Sequence, residues 1–117
     1  MLNRVEIIGR LTEAPKGGGN PPNNYSFITV AVNTHYKDKT TGERKVKSDF
    51  IPVSMFGNIA SLVCRYCGKG TKVFIEGTVV VRSIHTNGVR MEKMEIHGKN
   101  VIFLDKLPER DDLPEED

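Results

Sequence analysis

Long alternating β-rich segments, one stretch with helical apolar spacing and a single Asn-Gly hairpin signal predict an all-β fold with one short helix. Their order is three strands, a helix, then two strands. Within about 100 residues that order is the five-stranded Greek-key OB-fold barrel, with the helix between the third and fourth strands. The 117 residues are enough for one domain with a modest core. We place the folded domain at residues 1–104 and an acidic tail at 105–117.

Residues 4–11 (RVEIIGRL) form the β-rich opening strand. Residues 12–24 (TEAPKGGGNPPNN) are so rich in Pro and Gly that a long flexible loop is expected. Residues 25–34 alternate and are β-branched, giving the second strand. Residues 37–45 (KDKTTGERK) hold a Thr-Gly turn between charged arms, which predicts a projecting polar hairpin. The third strand is 48–56, and Gly57-Asn58 leads into the helix. Ile59, Leu62, Val63, Tyr66 and Cys67 recur there at 3.6-residue spacing, and Gly68 and Gly70 close it with Lys69 in its last turn. Residues 71–86 form a long fourth strand in which Gly77 marks a bend or bulge. Asn87-Gly88 turns the chain into the fifth strand, 89–104. The tail, with two prolines, is expected to be disordered.

Charge is unevenly divided. Residues 105–117 carry seven acids and two bases, whereas the preceding 104 carry 15 bases and eight acids. A basic body with an acidic tail suits either polyanion binding or simple solubility. No apolar run reaches the ~18 residues of a membrane span, and Arg4, Glu6 and Arg10 interrupt any secretory signal, so a cytoplasmic location is expected. Cys64 and Cys67 form one C-x-x-C, compatible with redox chemistry or half a zinc site. No second pair exists and His35, His85 and His97 lack ligand spacing, so both thiols read as small core residues of the helix. We therefore expect no metal and no cofactor. Catalysis is not expected either, since no paired carboxylates or Ser/His/Asp set stand out. Glycines 17–19 precede Asn-Pro-Pro, which cannot open a helix as a phosphate loop does.

Strand parity adds a functional signal. Ile51, Val53 and Met55 share one face and suit the interior, which turns Phe50, Pro52, Ser54 and Phe56 outward. On the fourth strand Val73, Ile75, Val79 and Val81 share one face, and Phe74, Glu76, Thr78, Val80, Arg82 and Ile84 the other. An outward Phe is either covered by a subunit or the helix, or is a platform for a stacked base. Lys37, Lys39, Arg44, Lys45 and Lys47 lie on a hairpin that is either merely solvated or follows a phosphate chain.

The motifs LNRVEIIGRLTEAP, AVN, DFIPVSMFG, KGTKVFIEG and VRS resemble the bacterial single-stranded DNA-binding protein family. The likeness covers about residues 1–104 and runs without a gap from Tyr36 to Ile84. It implies an OB fold that coats single-stranded DNA without sequence preference in replication, recombination or repair, usually as a homotetramer, with neither catalysis nor metal. Tyr36, Phe50 and Phe56 match aromatics on which that family stacks bases, and Ile84 stands at the fourth such position. Arg4, Lys39, Lys45, Lys69 and Arg82 match basic positions along its phosphate path, and Lys72 is a further basic candidate. Pro52, Asn58 and Val80 replace residues often basic or polar in relatives. Cys64 and Cys67 fall where relatives carry apolar helix residues, and the Asn87-Gly88 hairpin is shorter than theirs. DDLP resembles the start of the family's acidic tip, but EED follows instead of a terminal aromatic. Recruitment of replication and repair proteins by that tip is therefore not expected; competition of the tail for the basic face is. Tip-less forms of this kind lean towards phages, mobile elements or accessory paralogues. Two alternatives remain: a primosome-type dimeric OB protein bridging DNA and replication proteins, and an OB module binding only proteins.

Overall fold

A computed structural model describes residues 1–105. Six strands and one helix follow in chain order: β1 (Val5–Leu11), β2 (Lys16–Gly18), β3 (Tyr25–Lys37), β4 (Arg44–Phe56), α1 (Asn58–Tyr66), β5 (Lys72–Thr86) and β6 (Val89–Phe103). The sheet runs β1-β5-β6-β4-β3-β2, and β1 also pairs with β3 at Arg10↔Ala31 and Leu11↔Val30, closing five strands into the expected barrel. All pairings are antiparallel except the short parallel contact of β4 with β6. The core is Leu11, Ile28, Val30, Val53, Met55, Val73, Ile75 and Ile96, with Ala60 and Val63 contributed by the helix and Cys67 by the residue that caps it.

Five sequence expectations are corrected, four of strand and helix placement and one of a thiol. The Gly/Pro segment contains β2, whose three residues pair with Tyr25, Ser26 and Phe27. They cover the part of the β3 edge that β1 does not reach. Leu62, predicted on the buried helix face, is exposed. The buried stripe is centred on Ala60, Val63 and Cys67, and at 3.6 residues per turn Leu62 lies about 120° from it. The helix ends at Tyr66 with Cys67 as an extended cap, leaving Lys69 in the following turn. Val81 shares the inward parity but is exposed, because β5 and β6 run on past the barrel as a free arm. The Gly77 expectation holds: the β5–β6 register shifts between Glu76 and Gly77. Asn87 and Gly88 both have positive φ, 51° and 76°, as a two-residue hairpin turn of the primed type requires.

Only one of the two thiols is core. Cys67 is buried and Cys64 exposed, both free. Burial, then the neighbouring Cys64, pushes the Cys67 thiol up to about 11 from 9.0. Because the folded protein then holds this proton more tightly than the unfolded chain, stability falls as pH rises from about 9 through 11. Denaturation midpoints across that interval should drop more steeply for the wild type than for Cys67→Ala; parallel curves would contradict the buried, protonated thiol.

The expectations for the tail concern residues outside the described range, apart from Asp105. That residue is bonded to the barrel: its Oδ2 accepts from the Lys72 backbone N–H and from Arg10 Nη1, each at 2.9 Å. Those contacts, the backbone one foremost, hold its carboxyl below the usual carboxylate range. No helix among the described residues is long and apolar enough to cross a membrane.

Candidate nucleic-acid interface

Residues paired across antiparallel strands share a face, so the registers assemble the outer surface row by row. On β3 and β4 the outward rows are Tyr25/Phe56, Phe27/Ser54, Thr29/Pro52, Ala31/Phe50 and Asn33/Ser48. On β5 and β6 they are Thr78/His97, Val80/Glu95, Arg82/Lys93 and Ile84/Met91. The two hairpins pair directly with one another where β4 meets β6, at Val53↔Ile96 and Ser54↔His97. Beyond that junction they part as two arms. A cleft of about 180 Å³ opens between them, lined by Phe27, Pro52, Arg82, Ile84, Lys93 and Glu95.

Apolar rings are presented along one side of this cleft. Phe50 is 65% exposed, far more than a core ring would be. Phe56 and Tyr25 are each about half exposed, next to one another. The Phe56 ring stands edge-on to His97, with centroids 5.1 Å apart and planes at 87°, which fixes its orientation from the β6 side. Tyr36 is placed differently. It pairs with Lys45, so alternation sets it on the opposite face of the β3–β4 ribbon from Phe50, five residues further out along the arm. Ile84 lies in the cleft wall facing the aromatic side.

The basic candidates divide by partner. Lys37 and Arg44 pair across the end of the β3–β4 arm and Lys39 lies in its turn; none of the three forms an ion pair among the described residues. Lys45 Nζ is 2.9 Å from Asp38, whose carboxyl is held below its usual range by Lys45 and by the backbone N–H groups of Thr40 and Thr41. Lys47 sits 3.7 Å from Asp49. Arg82 lies against the Glu95 carboxylate. Arg4 lies between Glu6 at 2.6 Å and Glu76 at 2.8 Å, on the β1–β5 side of the barrel. Lys69 follows the helix, and Lys72 opens β5 opposite Arg10, ten residues and roughly 33 Å along the strand from Arg82. The structure thus sets Arg82 and Ile84 in one cleft with Phe50 and Phe56 on the same face, while Lys37, Lys39 and Arg44 lie at the end of the β3–β4 arm and alternation puts Lys45 and Lys47 with Tyr36 on its other face. It leaves Arg4, Lys69 and Lys72 away from it.

Tyr25, Lys93, Glu95 and His97 also belong to this surface and were not among the sequence candidates. A signal for Lys93 existed, because a two-residue turn at Asn87-Gly88 dictates that Arg82 faces Lys93 and Ile84 faces Met91. Tyr25 needed the exact register of the longer β3–β4 hairpin. No group of three or more His, Cys, Asp or Glu able to hold a metal occurs among the described residues.

Comparison with known proteins places this surface in context. The chain is 36% identical over 111 residues to single-stranded DNA-binding protein 1 of Clostridium acetobutylicum, covering 92% of this chain and 98% of that protein. It resembles the Plasmodium falciparum SSB solved in complex with single-stranded DNA, with a TM-score of 0.78 and 28% identity over 90% of this chain and 96% of the other. A small single-stranded DNA-binding protein from Streptomyces coelicolor shares the fold at a TM-score of 0.71 and 17% identity, covering 88% of this chain and 95% of that one. The family model described as single-strand binding protein family matches residues 2–104, the whole barrel with both arms, and the chain belongs to that family.

Proposed function

We propose that this protein binds single-stranded DNA without catalysis, through base stacking on Phe50, Phe56 and the neighbouring Tyr25 and phosphate contacts from the arms. The observation that carries this reading is Phe50, a strand residue with its ring mostly in solvent beside a cleft edged by Arg82 and Lys93. Tyr36, Lys37, Lys39, Arg44, Lys45 and Lys47 extend the path along the β3–β4 arm. Arg4, Lys69 and Lys72 would meet DNA only where it continues around the barrel. Ile84 replaces a ring by an aliphatic wall, so stacking is weaker on the β5–β6 side. Relatives named for single-stranded DNA binding support the reading, and the proposal extends to service in replication, recombination or repair in the cytoplasm.

A homo-oligomer, with the tetramer favoured over the dimer, fits the β1–β5–β6 side of the barrel. There Ile8, Phe74 and Ile102 stand in register across three strands, with Ile8 and Ile102 each about half exposed. Binding to oligo-dT, oligo-rU and duplex of equal length, titrated with salt and paired with light scattering, tests the whole proposal. The expected result is tight, salt-sensitive oligo-dT binding, weak duplex binding and a tetrameric mass. A dimeric mass would favour the primosome-type reading. No oligo-dT binding even at low salt would leave a protein-interaction module.

Individual cations should separate by slope. Lys37→Ala and Arg44→Ala should each flatten the log affinity against log salt slope by about 1, the signature of one lost phosphate contact. Lys45→Ala should change it less, since Lys45 already has Asp38 as counter-ion. Equal slopes for all three variants and the wild type would remove this arm from the path.

A further inference from the structure

A second cavity, of about 410 Å³, opens where α1 packs over β2, and it shares no lining residue with the cleft between the arms. Cys64 is on its wall, free and exposed, whereas Cys67 is buried. The Cys64 thiol lies over β2. A Cβ added to Gly17 would stand 2.7 Å from its Sγ, so the close approach needs glycine there. Asn24 also lines the cavity and is only 8% exposed. Its Nδ2 donates to the Gly57 carbonyl at 2.8 Å, which fixes the orientation of the amide, and to Ser61 Oγ at 2.7 Å. The opposite atom, Oδ1, accepts no hydrogen bond among the described residues, yet it is not one of the polar atoms sealed from solvent. An acceptor held rigidly without a donor favours a ligand that brings an N–H.

No Lys, Arg, Asp or Glu lines this cavity, so it suits neutral amides better than ions. Besides Asn24 it offers the Ser61 hydroxyl and the side-chain-free main chain of Gly17 and Gly18, with the half-exposed Tyr25 ring as an apolar wall. Its volume falls within the range of small-ligand sites, about 300–1,000 Å³. We propose that Cys64 and this cavity form a thiol-exchange site for short cysteine-containing peptide disulfides, with Asn24 Oδ1 accepting a peptide N–H. The Cys64 thiol gives its proton to water, and the thiolate Sγ attacks one sulfur of the peptide disulfide. A new S–S bond joins Cys64 to that half of the reagent. The reagent's own S–S bond breaks, and its other half leaves as a thiolate that takes up a proton. Cys64 is thereby oxidised to a mixed disulfide and the leaving half is reduced, with no further reactant. Cys67 does not compete for the reagent, because its thiol is packed in the core.

The test is the rate of modification of the full chain by two disulfides, followed by intact mass. One is the disulfide of N-acetylcysteine methylamide, a blocked cysteine residue with amide N–H groups. The other, bis(2-hydroxyethyl) disulfide, has none. Each rate is divided by that of the same reagent with a short unstructured cysteine peptide, which cancels intrinsic reactivity. We expect the ratio to favour the amide reagent about fivefold, the scale of one added hydrogen bond. The product should be a single adduct that Cys64→Ser abolishes and Cys67→Ala retains. Ser61→Leu, at an exposed helix position, fills the cavity while leaving Asn24 bonded to Gly57, and the preference should vanish there. Equal ratios for the two reagents in the wild type would reduce Cys64 to an ordinary exposed thiol and overturn the proposal. So would a preference that survives in Ser61→Leu. A product that has lost two hydrogens and carries no adduct would mark a disulfide between Cys64 and Cys67, and would overturn it as well.

Discussion

Phe50→Ala combined with Phe56→Ala lowers affinity for oligo-dT by about 2–6 kcal/mol, a thirtyfold loss or more, if each ring holds one base at about 1–3 kcal/mol. The loss should come with an unchanged salt slope, because no phosphate partner has been removed. Duplex affinity should hardly move, since paired bases offer no free face to either ring. Phe50 is the cleaner half of the pair. Being mostly solvent-exposed, it contributes little to the core, so its single variant should keep the wild-type melting temperature. Phe56 also packs edge-on against His97, and its removal forfeits about 0.5–1.5 kcal/mol of stability besides any stack. Tyr36→Ala makes an informative third variant. Its ring lies on the other face of the ribbon, so its effect should grow with oligonucleotide length as DNA reaches the arm. Wild-type affinity in the Phe50/Phe56 double variant would exclude these rings from the interface.

The barrel was legible because its signals are local. Alternation placed Val53 and Met55 inside and Phe50 and Phe56 outside, and the Asn87-Gly88 turn announced its own hairpin. Depth was not legible in the same way. Parity says which face a residue joins, but not whether anything covers that face. Val81 was therefore read as interior although it lies on an arm with no layer above it. Closure was equally hidden, since the pairing of Arg10 and Leu11 with Ala31 and Val30 joins segments twenty residues apart through a Gly/Pro-rich connection. Ion pairs across strands account for most of the difference in the site. Lys45, Arg4 and Arg82 look alike as basic residues in a sequence, yet each meets a carboxylate that only the folded registers bring alongside. The cleft itself arises because β4 and β6 touch at two rungs and then separate, a long-range property with no sequence signature.

Gly77→Ala should be the most damaging single-methyl change in the protein. A Cβ at this position would stand 2.0 Å from the backbone oxygen of His97 and 2.9 Å from its carbonyl carbon, with Gly98 Cα at 3.1 Å. These are main-chain atoms of β6, so no side-chain rotation relieves the collision; the strands must separate at the bulge. Overpacking of well-filled interiors costs about 1–3 kcal/mol, and a backbone clash belongs at or beyond the upper end. For a domain of this size about 3 kcal/mol lowers the melting temperature by roughly 10–20 °C. The displacement should also reach the interface, because His97 is the residue against which Phe56 is braced. Weaker oligo-dT binding is expected under conditions where the variant is still folded. Gly68→Ala is the matched control, as an added Cβ there meets nothing within 4 Å. Equal melting temperatures for the two variants would show that β5 and β6 can part at the bulge without cost, and the rigid bracing of Phe56 by His97 would have to be abandoned.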